Sequence, residues 1–334
     1  MNTGANMDRY EPPFKITSKI IDYISRISEK IGEINSLKNR SYQIKLRKEN
    51  RIKTIHSSLA IENNTLTIEQ ITAIIDGKRV LGSPNEIQEV KNAVQTYELL
   101  LKLNPYEEND LLKAHTLMMR DLVSLNGKYR TDGVGIFDGN NVVHIAPPAD
   151  RVPSLMTDLF HWLKTSDFHP LIKSCVFHYE FEFIHPFQDG NGRIGRLWQT
   201  VILKDWKEVF AWIPVESLIK ENQIEYYDTL KSCDHNADSS NFIEFMLSLL
   251  LKAIEEIIEN EKKVTVKVSV KVTVNQQKIL NAIKENPFVT QEELVQIVGI
   301  AKKNIVNNMN KLQENGIIKR IGADKNGRWE IETP

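Results

Sequence analysis

The stretch His185-Pro186-Phe187-Gln188-Asp189-Gly190-Asn191-Gly192-Arg193-Ile194-Gly195-Arg196 decides the fold of this chain. Its flanks, 171–184 and 194–206, carry apolar residues at helical spacing, so a glycine-rich loop ends where a helix begins. The first N–H groups of a helix have no intrahelical acceptor and its dipole is positive there, which favours an anion. Arg193 and Arg196 share one helix face and add two cations. The stretch therefore predicts a phosphate-binding site.

Two other side chains in this stretch indicate the chemistry at the phosphate. Asp189 offers the kind of oxygen ligand that Mg²⁺ takes beside substrate phosphates. His185 can accept a proton near neutral pH. The alternative is a glycine-rich turn with a core histidine and solvated arginines. We interpret the combination as a nucleotide-phosphate site with its own base.

The stretch resembles the signature of Fic-domain proteins, His-x-Phe-x-Asp/Glu-Gly-Asn-Gly-Arg-x-x-Arg, at every fixed position. The resemblance implies a protein adenylyltransferase, which transfers AMP from ATP to a serine, threonine or tyrosine hydroxyl of a protein. It implies that His185 is the general base and that Asp189 holds Mg²⁺. For Tyr226, the alternative to a nucleotide contact is an aromatic side chain packed between helices. The implied ATP-binding residues are Gly190, Asn191, Gly192, Arg193, Gly195, Arg196 and Tyr226.

A second pattern, Ser58-x-x-x-Glu62-Asn63, lies in the N-terminal part of the chain. Ser58 and Glu62 are four residues apart and share a helix face, and Asn63-Asn64 should end the helix. The pattern resembles the inhibitory motif of the family, Ser/Thr-x-x-x-Glu-Gly/Asn. The resemblance implies that Glu62 pairs with Arg196 and keeps the γ-phosphate out of its productive place. The alternative is an exposed carboxylate at a helix end.

The segment 127–148 predicts a β-hairpin, because two short apolar runs flank a turn-rich centre. In the family, a hairpin flap beside the signature holds the target segment by strand addition. By position, the resemblance assigns Val143, His144 and Ile145 to this flap. The alternative is a hairpin that only covers the core.

Helical periodicity prevails elsewhere, so the predicted fold class is mainly α. The resemblance specifies a Fic-type helical bundle with a β-hairpin flap, plus a small C-terminal winged helix-turn-helix domain. The boundary of that domain rests on valine at each even position from 264 to 274, which is typical of a strand or an extended linker. The predicted domains are an N-terminal helical region with the inhibitory motif, 1–106, the Fic core, 107–262, a linker or strand, 263–274, and the winged helix-turn-helix, 275–334.

The last segment, 275–334, predicts three helices followed by a hairpin, which resembles a winged helix-turn-helix. Its nine basic and seven acidic residues give a net charge of +2, a weak attraction to nucleic acid, so a protein-interaction or dimerisation module stays an alternative. The inward face of the third helix is predicted to carry Ile305, Met309 and Leu312. Its outward face carries the candidates for contacts with DNA phosphates and base edges, Lys303, Asn307 and Lys311.

The whole chain of 334 residues has a net charge of −1, which gives no global attraction to nucleic acid or to an anionic membrane. Residues 1–13 are polar and lack the apolar core of a secretory signal, and no apolar stretch reaches the length of a membrane span. A cytoplasmic protein without a membrane partner is therefore expected.

The expected ligands and partners follow from the resemblance. They are ATP as the substrate, Mg²⁺, and a target protein of unknown identity. The chain itself is one candidate target. DNA is a further candidate partner, and the resemblance allows a homodimer. Two rival functions stay open: a DNA-binding regulator with a nucleotide-sensing Fic domain, and a de-AMPylase in which Glu62 helps water to remove AMP. Intact His185 and Asp189 favour the transferase over a sensor, which would need neither residue.

Overall fold

The computed structural model describes residues 10–36, 40–133, 135–138, 141–314, 317–322 and 327–331. The chain divides into two compact units. The larger unit comprises Met1–Gly32 and Glu49–Glu255, and the smaller comprises Glu33–Lys48 and Glu256–Pro334. The segment that carries Ser58 and Glu62 therefore belongs to the same unit as the signature stretch.

The architecture is mainly α, as the sequence predicts. Two antiparallel hairpins accompany the helices, β1 (Gly135–Asp138) with β2 (Asn141–Ile145) and β3 (Ile318–Ile321) with β4 (Arg328–Ile331). In the part of the chain that the structure describes, no helix is both long and apolar enough to cross a membrane. The described α-helices are α1 (Ser18–Ser36), α2 (Arg40–Ile61), α3 (Ile68–Ile75), α4 (Pro84–Leu99), α5 (Glu108–Met118), α6 (Val152–Thr165), α7 (Pro170–Ile184), α8 (Asn191–Trp206), α9 (Val215–Glu221), α10 (Gln223–Asn236), α11 (Ser240–Lys271), α12 (Val274–Glu285), α13 (Gln291–Val298) and α14 (Lys302–Glu314).

Helices α7 and α8 form the centre of the larger unit. Twelve of the fifteen residues of α7 are buried, so this helix is enclosed on nearly all sides. A Cβ atom at Gly195 of α8 would lie 2.6 Å from Oε1 of Glu182 and 3.3 Å from the ring of Phe181, both on α7. Gly195 is therefore needed for the close approach of the two helices. The packing between α7 and α8 is enough to explain a glycine at this position. The predicted contact of Gly195 with ATP has no support in these surroundings.

The segment 263–274 is not the predicted strand or linker, because α11 continues through Lys271 and α12 begins at Val274. Alternating valines match a strand, but a valine in a helix costs well under about 1 kcal/mol relative to alanine. The first half of α11, from Phe242 to Ile258, buries its apolar side chains and fixes that part of the helix. Extending an existing helix adds one hydrogen bond per residue, so the valine-rich segment continues it.

The winged helix-turn-helix lies in the smaller unit. Thr290 and Glu293 form the predicted capping box at the start of α13, and Gly299, with a φ of 78°, ends that helix. Ile305, Met309 and Leu312 of α14 are buried in the core of this unit, with Trp329 of β4 packed against it. The opposite face of α14 is exposed and includes Lys303, Asn307 and Lys311. The two faces of α14 are thus as predicted.

Tyr226 lies in the core beside a buried histidine of α7. Nδ1 of His178 donates to Oε1 of Gln199 at 2.8 Å, so Nε2 is left to accept from the Tyr226 hydroxyl at 3.0 Å. Burial lowers the pKa of His178 to about 3. Tyr226 is buried and its hydroxyl is bonded to His178. The structure therefore favours the alternative for Tyr226, an aromatic side chain packed between helices, over a contact with ATP. The next residue, Tyr227, is about half exposed.

A second buried histidine, His115 on α5, holds the loop of the signature stretch. Its ring stacks on Phe187 with the centroids 3.7 Å apart. Nδ1 accepts from the N–H of Gly127 at 2.7 Å, so Nε2 carries the proton and donates to the main-chain oxygen of Asp189 at 3.0 Å. Burial lowers the pKa of His115 to about 4. The neutral ring is therefore the form that holds the loop.

We predict that acid destabilises the larger unit through His115. In the unfolded chain an imidazole takes up a proton near pH 6.5, whereas folded His115 does so only near pH 4. Between these values the unfolded state binds more protons, so the free energy of unfolding falls as the pH decreases. The wild type should lose free energy of unfolding between about pH 7.5 and about pH 5. Replacing His115 by glutamine should reduce this loss of free energy by about 2 kcal/mol.

Urea titrations followed by tryptophan fluorescence measure this loss, since four of the five tryptophans lie in the larger unit. His161, on the exposed face of α6, is the matched control, and His161→Gln should show the same pH dependence as the wild type. An undiminished loss in His115→Gln would contradict a neutral, buried ring at this position.

Candidate active site

The signature stretch forms the turn between α7 and α8. His185 follows the last residue of α7 and has a left-handed backbone, with φ 50° and ψ 60°. Gly190 has a φ of 87° and directly precedes the first residue of α8. A Cβ atom at Gly190 would also lie 2.6 Å from Sδ of Met119, so a side chain there would both strain the left-handed backbone and displace Met119. Helix α8 begins at Asn191, three residues before the periodicity predicts, inside the signature itself.

Asn191 closes the turn with its side chain. Its Oδ1 accepts from the N–H of Phe187 and its Nδ2 donates to the oxygen of Phe187, both at 2.8 Å. Both polar atoms of the amide are thus bonded to the loop, and the main-chain N–H of Asn191 is the group that it can offer a ligand at the helix N-terminus. The first hydrogen bond of α8 runs from Ile194 to Gly190. The N–H groups of residues 191–193 precede that bond and face the end of the helix where an anion is favoured.

Arg193 lies between two carboxylates. Its Nη2 is 3.0 Å from Oδ1 of Asp189, and its Nη1 is 3.2 Å from Oε1 of Glu89 on α4. The other oxygen of Glu89 accepts from Nδ2 of Asn64 at 2.7 Å. The side chain of Asp189 is 56% exposed while that of Arg193 is buried, so Asp189 is the partner that a metal ion can reach. Glu89 is not predicted by the sequence.

Arg196 is almost completely buried, with 1% of its side chain exposed. Its Nη2 donates to Oε1 of Glu62 at 2.7 Å and to the main-chain oxygen of Ser58 at 3.0 Å. Its Nε lies 3.4 Å from Oγ of Ser58. Burial acts to lower the pKa of Arg196, but the Glu62 carboxylate, together with Tyr226 and Glu182, outweighs burial, so that the pKa is raised overall. The structure therefore brings together the three residues that the inhibitory pattern connects.

The Glu62 carboxylate also covers the first turn of α8. A Cβ atom at Gly192 would lie 2.5 Å from Oε1 of Glu62 and 3.0 Å from Nη1 of Arg196. The carboxylate thus occupies the space in front of the helix N-terminus, where a ligand anion is favoured. An anion that needs both this space and Arg196 must displace Glu62.

Contacts at the C-terminal end of α2 hold Glu62 in this place. The last carbonyl groups of a helix lack intrahelical donors and need other partners. The oxygen of Ala60 accepts from Nζ of Lys220 at 2.9 Å, and that of Ile61 accepts from Nε2 of Gln223 at 3.1 Å. Residues of α9 and α10 therefore fix the end of α2, a role that no short motif predicts because these residues lie about 160 positions away in the chain.

The predicted hairpin is present beside the signature. In the β1–β2 pair, His144 lies opposite Ile136, and Ile145 lies opposite Gly135. The side chains of Val143, His144 and Ile145 fall outside the part that the structure describes, so their assignment to a flap stays a prediction. The site contains one further residue that was not predicted, Arg130, whose Nε donates to the main-chain oxygen of His185 at 2.8 Å.

Comparison with known families matches both units of the chain. The Fic/DOC family matches residues 105–203, and a family described as winged helix-turn-helix DNA-binding matches residues 273–319. The chain is similar to "Protein adenylyltransferase Fic" of Nematostella vectensis, with 28% identity over 264 residues that cover 75% of this chain and 58% of the relative. The protein of the same name from Drosophila virilis is 28% identical over 244 residues, 67% of this chain and 45% of the relative. The chain spans about half the length of the curated relatives it matches.

One solved structure matches nearly the whole chain. It is the crystal structure of a Fic family protein from Desulfovibrio desulfuricans G20, with a TM-score of 0.74 and 46% sequence identity. The match covers 97% of this chain and 99% of that protein, so it includes the winged helix-turn-helix as well as the signature. At this identity and coverage, the chain belongs to the Fic family.

Proposed function

We propose that this protein is a protein adenylyltransferase, which transfers AMP from ATP to a serine, threonine or tyrosine hydroxyl of a protein. The observation that carries the proposal is the turn between α7 and α8. It places His185 next to the N-terminus of α8, with Arg193 and Arg196 on the first turns of that helix. The relatives named protein adenylyltransferase Fic support the same reaction.

In this reaction the hydroxyl oxygen attacks the α-phosphorus, and the bond to the β-phosphate breaks to release pyrophosphate. His185 takes the proton of the attacking hydroxyl. The N–H groups at the start of α8 and the guanidinium of Arg193 receive phosphate oxygens, so charge is balanced by groups already in place. Positioning of this kind is the main contribution that a protein can make to attack at phosphorus.

The residues fit a Mg²⁺ ion. Mg²⁺ at phosphate sites binds one or two carboxylates together with substrate oxygens, and Asp189 offers an exposed carboxylate beside the groups proposed to receive phosphate. When bound, the ion would supply positive charge to the phosphates and help to orient them.

Glu62 is proposed to restrain this reaction. Its carboxylate needs the cation of Arg196 and fills the space in front of Gly192, and a γ-phosphate would need both. With Glu62 in place, ATP would settle with its α-phosphate misaligned for in-line attack. Such a misalignment slows a reaction even when the ligand still binds.

The β1–β2 hairpin is proposed to hold the target. A two-stranded sheet leaves the outer edge of each strand able to pair with a third strand. Main-chain pairing of this kind would align a target segment beside His185 without demanding a particular sequence. The target, including the chain itself in self-modification, would then be selected by segments outside this hairpin.

We predict that Glu62→Gly raises AMP transfer, including self-modification, by about 10- to 100-fold, because a charged hydrogen bond of the Glu62–Arg196 type contributes ~1.5–3 kcal/mol. Self-modification with α-labelled ATP measures the effect. The double variant Glu62→Gly with Arg196→Ala should transfer AMP more slowly than Glu62→Gly alone, because the faster transfer depends on a free Arg196. Glu62→Gln, which keeps the shape but loses the charge, should lie between wild type and Glu62→Gly.

A single variant as slow as the wild type, with its fold verified by circular dichroism, would end the self-inhibition proposal. A double variant as active as the single would show that Arg196 is not the partner that matters. If Glu62 instead assists water in removing AMP, Glu62→Gly would slow the loss of AMP from a modified protein and would not accelerate its modification.

We predict that loss of the His185 imidazole lowers AMP transfer by ~10²–10⁴-fold while ATP binding survives. The effect should be measured in the Glu62→Gly background, by mass spectrometry for transfer and by calorimetry for ATP. Besides His185→Ala, His185→Asn is informative because asparagine tolerates the left-handed backbone of this position. His161→Ala on the exposed face of α6 is the matched control. Full transfer by either His185 variant would remove this residue from the mechanism.

A second function, binding of duplex DNA, is proposed for the winged helix-turn-helix. It is supported by the family match over residues 273–319 and by the exposed face of α14. That face presents Lys303, Asn307 and Lys311 in the helix that normally enters the major groove. The net charge of this segment is small, so binding should be weak and strongly dependent on salt.

We predict that the full-length protein binds a labelled DNA duplex with a dissociation constant of roughly 10⁻⁴–10⁻⁶ M at physiological salt, and more tightly at low salt. Replacing Lys303 and Lys311 by glutamine should weaken binding and reduce the slope of log affinity against log salt by about 2. The control replaces Lys278 and Lys284, two exposed lysines of α12, and removes the same charge. An anisotropy titration without binding would favour a protein-interaction module, and equal effects of both pairs would reject the α14 face.

A further inference from the structure

Arg130 is a buried cation at the junction of three segments of the larger unit. Only 3% of the residue is exposed. Its Nε donates to the oxygen of His185 at 2.8 Å and its main-chain N–H donates to Pro186 at 2.9 Å. Its Nη1 donates to the oxygen of Asp132 at 2.9 Å. Its Nη2 donates to the oxygens of Ile184, at 3.3 Å, and Pro147.

These partners are all main-chain oxygens, and no carboxylate is paired with Arg130 in the part of the chain that the structure describes. A planar guanidinium has five N–H donors in a fixed arrangement, so it can hold several carbonyl groups in one geometry. Two of its acceptors, in Ile184 and His185, lie at the C-terminal end of α7, where the helix dipole favours a cation. Arg130 thus satisfies carbonyl groups at the end of α7 in addition to the left-handed cap at His185.

The other two acceptors lie at the two ends of the hairpin. Asp132 is three residues before β1, and Pro147 is two residues after β2. In the hairpin, Gly135 and Ile145 form the first pair next to these ends. One guanidinium therefore joins the segments that enter and leave the hairpin to the main chain of His185.

We infer that Arg130 is a positioning residue, which fixes the hairpin at a set distance from His185 and so sets where a target hydroxyl meets the base. This inference rests on the proposed function, in which the hairpin holds the target and His185 takes its proton. Arg130 itself touches neither ATP nor the reacting atoms in this account. Its loss should therefore slow transfer to a protein and leave the affinity for ATP unchanged.

A purely structural role for Arg130 makes a different prediction, and Lys173 provides the matched control. Lys173 is also a buried cation of the same core, 8% exposed, and its Nζ donates to the main-chain oxygens of Leu163, at 2.8 Å, and Ser166, at 3.2 Å. It lies near the start of α7, at the opposite end from His185. Removing its charge disturbs the fold in a similar way but leaves the hairpin and His185 connected.

The experiment compares Arg130→Gln, Arg130→Lys and Lys173→Gln in full-length protein with the Glu62→Gly substitution. Three quantities are measured on variants whose circular dichroism matches the parent: the rate of self-modification at saturating ATP, the dissociation constant of ATP with Mg²⁺, and the hydrogen exchange of the amides in 135–145. Hydrogen exchange reports on the hairpin directly and does not depend on activity.

For Arg130→Gln we expect about 10- to 100-fold slower transfer, since small misplacements of reacting groups have effects of this size. We expect faster exchange across the hairpin and an ATP dissociation constant within about threefold of the parent. Arg130→Lys should recover part of the rate, because an ammonium keeps the charge but reaches fewer carbonyls at once. Lys173→Gln should lower the melting temperature while transfer and hairpin exchange stay as in the parent.

Unchanged AMP transfer in the Arg130 variants would overturn the inference, and so would a loss of ATP binding together with transfer. An increase of hairpin exchange in Lys173→Gln as large as that in Arg130→Gln would overturn it as well. If the Glu62→Gly parent itself shows no AMP transfer, the proposed function fails. In that case, unchanged hydrogen exchange of the hairpin in Arg130→Gln would also overturn the positioning role. Faster exchange would still support Arg130 as the residue that links the hairpin to His185.

Discussion

The reversal of the chain between α7 and α8 is the constraint on which the candidate site depends. Two hydrogen bonds of 2.8 Å, both between the Asn191 side chain and the main chain of Phe187, close this turn. The left-handed backbones of His185 and Gly190 make so short a turn possible. Because Phe187 and Asn191 are buried, the core fixes the loop and the start of α8 before a ligand arrives.

Two guanidinium groups buried beside a helix N-terminus need counter-charges, because an unpaired buried charge is strongly unfavourable. The chain supplies them from its N-terminal half, Glu62 for Arg196 and Glu89 for Arg193. The end of α2 and the middle of α4 therefore complete the electrostatics of the site, and both belong to the same compact unit as the signature. Under the proposed self-inhibition, the contact with Glu62 that neutralises Arg196 would also be the contact that withholds Arg196 from ATP.

What the sequence predicts correctly depends on residues that are close together in the chain. The hairpin, the capping box of Thr290 and the two faces of α14 are of this kind, since each follows from turn chemistry or periodicity over a few residues. The valines of 264–274 mislead because a period of two is also compatible with the continuation of a long helix. For Gly195 and Tyr226, the position in a family pattern does not tell whether a residue faces a ligand or a neighbouring helix, and the structure shows both packed against neighbouring helices.

The residues that the sequence does not predict share a physical property: they act on the signature from far along the chain. His115 bonds to Asp189, Glu89 to Arg193 and Arg130 to the main chain of His185, across 74, 104 and 55 residues. No local pattern encodes such contacts, because two of the three are made to main-chain oxygens that every residue possesses. The signature supplies the groups proposed to meet ATP, while these distant side chains determine how the groups are held. A substitution among them can therefore disable the site while every signature residue remains intact.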